Sequence, residues 1–157
     1  MSRSASSDLP KSGVILCNPE ACHGCGICEL VCSLSHDGVC GPSVSRITLI
    51  REPLAGEFHQ ATCKQCHHPE CYYNCPVEAV QIEPKTGARI IDAELCTGCG
   101  TCAKACPFNE QGSIVKQNPD TGKWLKCDLC VIQNGPQCVS ACPWGALRYV
   151  SQEERGL

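Results

Sequence analysis

What is scarce in this chain narrows its chemistry before any motif is considered. Aromatic residues make up only 4% of its 157 residues. A chain so poor in large side chains cannot build much of its own apolar core, so something else must fill the interior. There is no run of about eighteen apolar residues, hence no membrane-spanning helix. The Ser-rich start, Met1 to Ser12, has no apolar signal-peptide core and no twin-arginine pair, so a cytoplasmic location is expected. Lys and Arg number 13 against 16 Asp and Glu, for a formal charge of −3, and no basic patch or aromatic-interleaved basic stripe stands out. That composition disfavours nucleic-acid binding. No Ser/His/Asp order, phosphate-cradling glycine loop or meaningfully spaced carboxylate pair is present, which argues against an enzyme.

Cysteine, by contrast, is abundant: 18 residues, more than a tenth of the chain. Disulfides, zinc or iron–sulfur clusters are the candidate staples at that density. A reducing compartment makes disulfides the weakest of the three. Sixteen of the cysteines fall into quartets: Cys22, Cys25, Cys28 and Cys32; Cys63, Cys66, Cys71 and Cys75; Cys96, Cys99, Cys102 and Cys106; Cys127, Cys130, Cys138 and Cys142. The third quartet has the spacing C-x2-C-x2-C-x3-C-P, with which bacterial ferredoxins hold clusters, three thiolates on one cubane and the fourth on a neighbour. The first quartet repeats the spacing, but Ser33 stands where the others have Pro76, Pro107 and Pro143. Residues 29–34 can therefore continue as helix instead of breaking. Gly24 and Gly26 let the backbone pass close to a cluster and aim N–H groups at its sulfurs. Zinc competes for the second and fourth quartets, each of which could hold one tetrahedral ion. A cysteine at every third position, as in the first and third, crowds one zinc but suits a cubane. Four oxidised cubanes would add roughly −2 each, for a holo-protein charge of about −11, favouring basic partner surfaces.

Between the quartets the pattern predicts short strands and hairpins, an α+β chain. Strands are expected over residues 14–17, 44–50, 58–62, 81–83, 88–92, 113–116, 123–125 and 146–150, with a helical turn over 77–80. Residues 1–13 read as a flexible N-terminal arm and 151–157 as a polar tail. Cys17 and Cys40 are left over, as buried or free thiols. His67 and His68 lie in a ligand loop, where a bond to a cluster sulfur competes with a plain loop or interface role. Trp124 and Trp144 are expected to pack over clusters and exclude water.

In this order the quartets resemble the four-cluster ferredoxin-like electron-transfer subunits of molybdenum and tungsten oxidoreductases. The beta subunits of dimethyl sulfoxide reductase and formate dehydrogenase are of this type, and the likeness spans residues 22–150. The resemblance implies a double two-cluster ferredoxin of small β-hairpins and short helices around four [4Fe–4S] clusters. One lobe would comprise residues 14–62 and 107–150, the other residues 63–106. The first lobe would hold one cluster on Cys22, Cys25, Cys28 and Cys142, and another on Cys127, Cys130, Cys138 and Cys32. The second would hold one on Cys63, Cys66, Cys71 and Cys106, and another on Cys96, Cys99, Cys102 and Cys75. No long C-terminal extension or membrane anchor of the kind several relatives carry is expected.

Cys32-Ser33-Leu34-Ser35-His36-Asp37-Gly38-Val39-Cys40 and Pro42-Ser43-Val44-Ser45-Arg46-Ile47 carry a narrower likeness. They are similar to the small polyferredoxin subunits beside bacterial tungsten aldehyde oxidoreductases and benzoyl-CoA-reducing tungsten enzymes. That implies a non-catalytic relay of single electrons, with a tungsten– or molybdenum–pterin catalytic subunit at one end. A flavin/NAD subunit or a soluble ferredoxin would stand at the other, and copies of the chain would be able to stack into a longer wire. The alternatives are service to another such enzyme, for instance formate dehydrogenase or benzoyl-CoA reductase, and a cluster-carrying assembly or scaffold protein.

Overall fold

The computed structural model describes residues 9–156. Four short helices alternate with four antiparallel strand pairs among these residues. The helices are α1 (Ile27–Asp37), α2 (Glu70–Tyr73), α3 (Thr101–Ala105) and α4 (Gln137–Ala141). Strand β1 (Val14–Cys17) pairs with β8 (Leu147–Val150), Val14 opposite Val150, which ties the start of the described chain to its end. The other pairs are sequential hairpins: β2 (Thr48–Glu52) with β3 (Glu57–Ala61), β4 (Val80–Ile82) with β5 (Arg89–Ile91), and β6 (Lys116–Gln117) with β7 (Trp124–Leu125).

Each cysteine quartet feeds one helix, and the residue after its last cysteine sets the helix length. Proline disfavours helical backbone in the residue before it. Accordingly α3 and α4 stop against Cys106 and Cys142, which are extended at ψ 115° and 110° before Pro107 and Pro143. Ser33 imposes no such stop, and α1 runs through the last cysteine to Gly38, whose left-handed φ of 69° caps it. The expected helical turn over 29–34 is thus the middle of an 11-residue helix. Helix α1 packs on α4, and α2 on α3.

The core is thin. Ile15, Ile47, Val80, Ala88, Ile114, Val115, Leu129 and Leu147 form one buried cluster with Cys28, Cys32, Cys63, Cys75, Cys102, Cys127 and Cys138. Cysteine supplies nearly as many of its members as the aliphatic residues do.

Several expected elements differ. Residues 77–80 form a turn instead of a helix, because Glu78 adopts a left-handed φ of 55° and Val80 already opens β4. The strand expected over 44–50 starts at Thr48, since Pro42–Val44 is a 3-10 turn and the Ser45 hydroxyl binds both the carbonyl and the N–H of Ile47. Over 113–116 only Lys116 is strand: the Asn109 side chain accepts from the N–H groups of Ile114 and Val115 at 2.9 and 2.7 Å, replacing a ladder partner. Residues 1–8 of the expected arm lie outside the described residues, but Ser12 and Gly13 are buried. The polar tail docks too, for Arg155 donates to the carbonyls of Ser12 at 2.7 Å and Gln65 at 3.3 Å.

Candidate metal centres

Eight of the quartet cysteines line two cavities in mixed groups. One cavity is lined by Cys63, Cys66 and Cys71 of the second quartet and Cys106 of the third; Cys75 does not line it. A second is lined by Cys22, Cys25 and Cys28 of the first and Cys142 of the fourth. Other quartet cysteines lie close enough to feel one another's charge. Cys138 is influenced by Cys127, Cys32 and Cys130, and Cys102 by Cys96, Cys75 and Cys99. In three quartets the fourth cysteine sits at or just beyond a helix end, Cys75 after α2, Cys106 after α3 and Cys142 after α4, whereas Cys32 lies within α1.

Several of these thiols are poor thiolates on their own. Burial, reinforced by the charge of Glu29, pushes Cys28 up to about 12. Burial also lifts Cys71 and Cys127 to about 12 and Cys102 to about 11, and it raises Cys138 as well. A buried thiol so raised ionises only when a cation supplies the compensating charge, and metal coordination does that outright. Four convergent sulfurs suit a thiolate-ligated iron–sulfur group, and the one carboxylate on either lining, Glu70, is exposed and paired with His68. The donor set fits.

Donors from elsewhere in the fold reach the sulfurs. Cys22 accepts from Gln60 Nε2 at 2.9 Å and the Gly24 N–H at 3.5 Å, and Cys32 from the Arg46 N–H at 3.2 Å. Cys63 accepts from the Gln65 N–H at 3.4 Å and the Lys126 ammonium at 3.5 Å, and Cys96 from the Trp124 N–H at 3.5 Å. His36 lies with its Nδ1 4.0 Å from the Cys32 sulfur, while its Nε2 binds Asp128 at 3.0 Å. Burial would raise Cys32, but His36 and the Arg46 N–H outweigh it and hold that thiol low. His36, Asp128 and Cys130 bring ligand atoms within 4.8 Å of one another, but His36 and Asp128 are taken up by their own pair at 3.0 Å.

Other expected residues sort differently. His67 and His68 are exposed, and His68 pairs with Glu70 at 3.2 Å. Trp124 closes over the third quartet, its indole donating to the Gly98 carbonyl at 3.0 Å. Its ring presses on Gly100, where φ is 79° and a side chain would stand 3.1 Å from the indole. Trp144 lines the Cys22 cavity but is 51% exposed and stacks on His23 at 4.2 Å. Cys17 is half-buried and raised to about 11 by burial, and Cys40 is exposed. Sequence reasoning missed Gln60, Gln65, Arg89, Lys126 and the His36–Asp128 pair. Only Lys126 carried a sequence signal, its place immediately before Cys127.

Comparison with known families agrees with this donor set. The family described as 4Fe-4S dicluster domain matches residues 54–152, and a 4Fe-4S binding domain matches residues 19–35. The chain belongs to the 4Fe-4S dicluster family. This dicluster protein is 38% identical over 128 residues to the polyferredoxin-like subunit of aliphatic sulfonate oxidoreductase from Pyrococcus furiosus, covering 82% of its own length and 70% of the relative's. It is 38% identical over 96 residues to the formate dehydrogenase iron-sulfur subunit of Haemophilus influenzae, covering 59% of its own length but only 30% of that subunit. Among solved structures it resembles a chain of the active site complex BamBC of benzoyl coenzyme A reductase as isolated. The TM-score is 0.54 at 25% identity, over 90% of this chain and 78% of that one. The expectation of an iron–sulfur electron-transfer subunit, not a catalytic one, agrees with these relatives. Among the described residues no helix is long and apolar enough to cross a membrane.

Proposed function

We propose that this protein relays single electrons through four [4Fe–4S] clusters in the cytoplasm. It would run between a tungsten– or molybdenum–pterin catalytic subunit and a flavin/NAD subunit or ferredoxin. The observation that carries the reading is the mixed lining of the two cavities, three cysteines from one quartet and one from another. Cys22, Cys25, Cys28 and Cys142 would hold the first cluster, and Cys127, Cys130, Cys138 and Cys32 the second. Cys63, Cys66, Cys71 and Cys106 would hold the third, and Cys96, Cys99, Cys102 and Cys75 the fourth.

The packing also suggests an order. Helix α1, with Cys28, packs on α4, with Cys138; Lys126 joins the Cys63 sulfur to the Cys127 carbonyl; and α2, with Cys71, packs on α3, with Cys102, linking first to second, second to third and third to fourth. Cys25 and Cys99, one in each end group, are exposed, so both ends reach the surface where partners dock. When bound, the clusters supply one-electron centres whose potentials follow charge, hydrogen bonds to sulfur and solvent access. Trp124 and the buried helix faces keep water from the interior sulfurs, and the N–H donors hold them in place. Support for the tungsten–pterin partner comes from the likeness of residues 32–47 and from the benzoyl coenzyme A reductase complex, which contains a chain of similar fold.

The test is anaerobic purification of the native complex, with bound metal and pterin identified. A tungsten or molybdenum pterin in the co-purifying subunit is expected, and Cys99→Ser is expected to stop electron flow through the complex. A partner without either metal contradicts the proposed partner, and full turnover by the Cys99→Ser complex contradicts the relay path.

A further inference from the structure

The donors that reach the cysteine sulfurs are unequal in charge. Gln60, Gly24, Arg46, Gln65 and Trp124 offer neutral N–H groups, and Cys99 faces the Thr101 hydroxyl at 3.4 Å. His36 near Cys32 has its charge offset by Asp128 at 3.0 Å. Lys126 differs. It is 2% exposed, and its ammonium donates to the Cys63 sulfur at 3.5 Å, to the Cys127 carbonyl at 3.3 Å and to the Arg89 carbonyl. Among the described residues no carboxylate pairs with it at ion-pair distance.

A buried ammonium without a carboxylate demands some other negative charge nearby. The Cys63 cavity is where that charge would sit, and Lys126 lines it. A second buried cation, Arg89 at 1% exposure, lines the same cavity, its guanidinium held by the carbonyls of Pro10, Gly87 and His67. The single carboxylate on that lining, Glu70, is exposed and turned to His68.

We propose that Lys126 makes the Cys63, Cys66, Cys71 and Cys106 centre the most easily reduced of the four. Reduction adds one electron and no proton, and an uncompensated cation against a ligand sulfur in a low-dielectric interior stabilises the added charge more than neutral donors do. Lys126 also touches the carbonyl of Cys127, a ligand of the adjoining group, so electrons would collect where the two lobes meet. Gln65 braces the same joint, donating to the Cys127 carbonyl at 2.9 Å and accepting from the Arg89 N–H at 2.7 Å. Lys126 is a positioning residue in this scheme, not a ligand.

This inference rests on the ligand grouping proposed above, and the experiment separates the two. The full-length holo-protein and its Lys126→Met and Lys126→Arg variants are titrated with dithionite under EPR, with iron and sulfide measured on each sample. In Lys126→Met the highest of the four midpoints is expected to fall by at least about tenfold in its reduction equilibrium, ~59 mV for one electron. The other three hold, and Lys126→Arg keeps the wild-type order. Four full clusters with no selective shift overturn the inference and leave the grouping standing; fewer than four clusters in the wild type overturn the grouping. Should Lys126→Met lose its iron, the wild-type protein decides: its first EPR signal must be the one altered by Cys66→Ser. A first signal indifferent to Cys66→Ser overturns the proposal.

Discussion

Gln60 on β3 donates its side-chain amide to the sulfur of Cys22 across 2.9 Å, while its own Oε1 is buried without a partner. The side chain is thus half satisfied. Replacing it with leucine removes a sulfur donor and an orphan acceptor together, so the two stability effects oppose each other. Gln60→Leu is expected to change folding stability by no more than about 1 kcal/mol while lowering the potential of the Cys22 centre. Denaturant unfolding beside a redox titration checks this; a loss of several kcal/mol, or an unmoved potential, would count against it.

Ser33 decides the length of α1. Its hydroxyl, fully buried, donates to the Glu29 and Leu30 carbonyls and accepts from the Gly41 N–H at 3.0 Å. Ser33→Pro gives the first quartet the same ending as the others and should stop the helix near Cys32. The expected cost is about 3 kcal/mol or more, with helical circular dichroism reduced and His36 pulled from Asp128.

The His36–Asp128 pair ties α1 to the fourth quartet, and both side chains are largely buried, at 6% and 18% exposure. Asp128 also accepts from the Cys130 N–H at 2.9 Å. Asp128→Ala takes the carboxylate from a buried imidazole, whose Nδ1 keeps the Cys32 carbonyl at 2.8 Å, and about 3 kcal/mol of destabilisation is expected. Combining it with His36→Gln should cost much less than the sum of the single changes, because the pair acts as a unit. Additive costs would show that the two do not interact.

A pH effect belongs to the β4–β5 hairpin, away from the sulfurs. The Thr86 hydroxyl and N–H both donate to Glu83 Oε2, at 2.7 and 2.6 Å, and hold its carboxyl below the usual glutamate range. A carboxylate depressed in the folded state stabilises it above the ordinary value of about 4.3, and that contribution is lost as pH falls through the lower folded value. Carboxyl NMR should find Glu83 titrating late on acidification, and Thr86→Val should return it to the ordinary range. An unmoved titration in that variant would show that Thr86 is not the cause.

Much of this was legible in the cysteine and proline pattern. The spacing of Cys96 to Cys106 announces its chemistry, and Ser33 in place of proline announces the longer α1, because both act through local backbone geometry. Strand ends were less legible where a side chain replaces the ladder, as Asn109 does at Ile114 and Val115. Least visible were Gln60, Arg89 and Arg155, polar residues whose roles depend on partners 38, 79 and 143 positions away. Their identity carries no mark of that. Lys126 stood beside Cys127 in plain sight, but its burial follows only from the approach of Arg89 and Cys63.

Four [4Fe–4S] clusters on sixteen cysteines are the centre of the account, and metal analysis of the anaerobically purified full-length protein tests it most directly. About sixteen iron and sixteen sulfide per chain, with no zinc, are the predicted result. About eight iron, or zinc in place of iron at the second and fourth quartets, would contradict it.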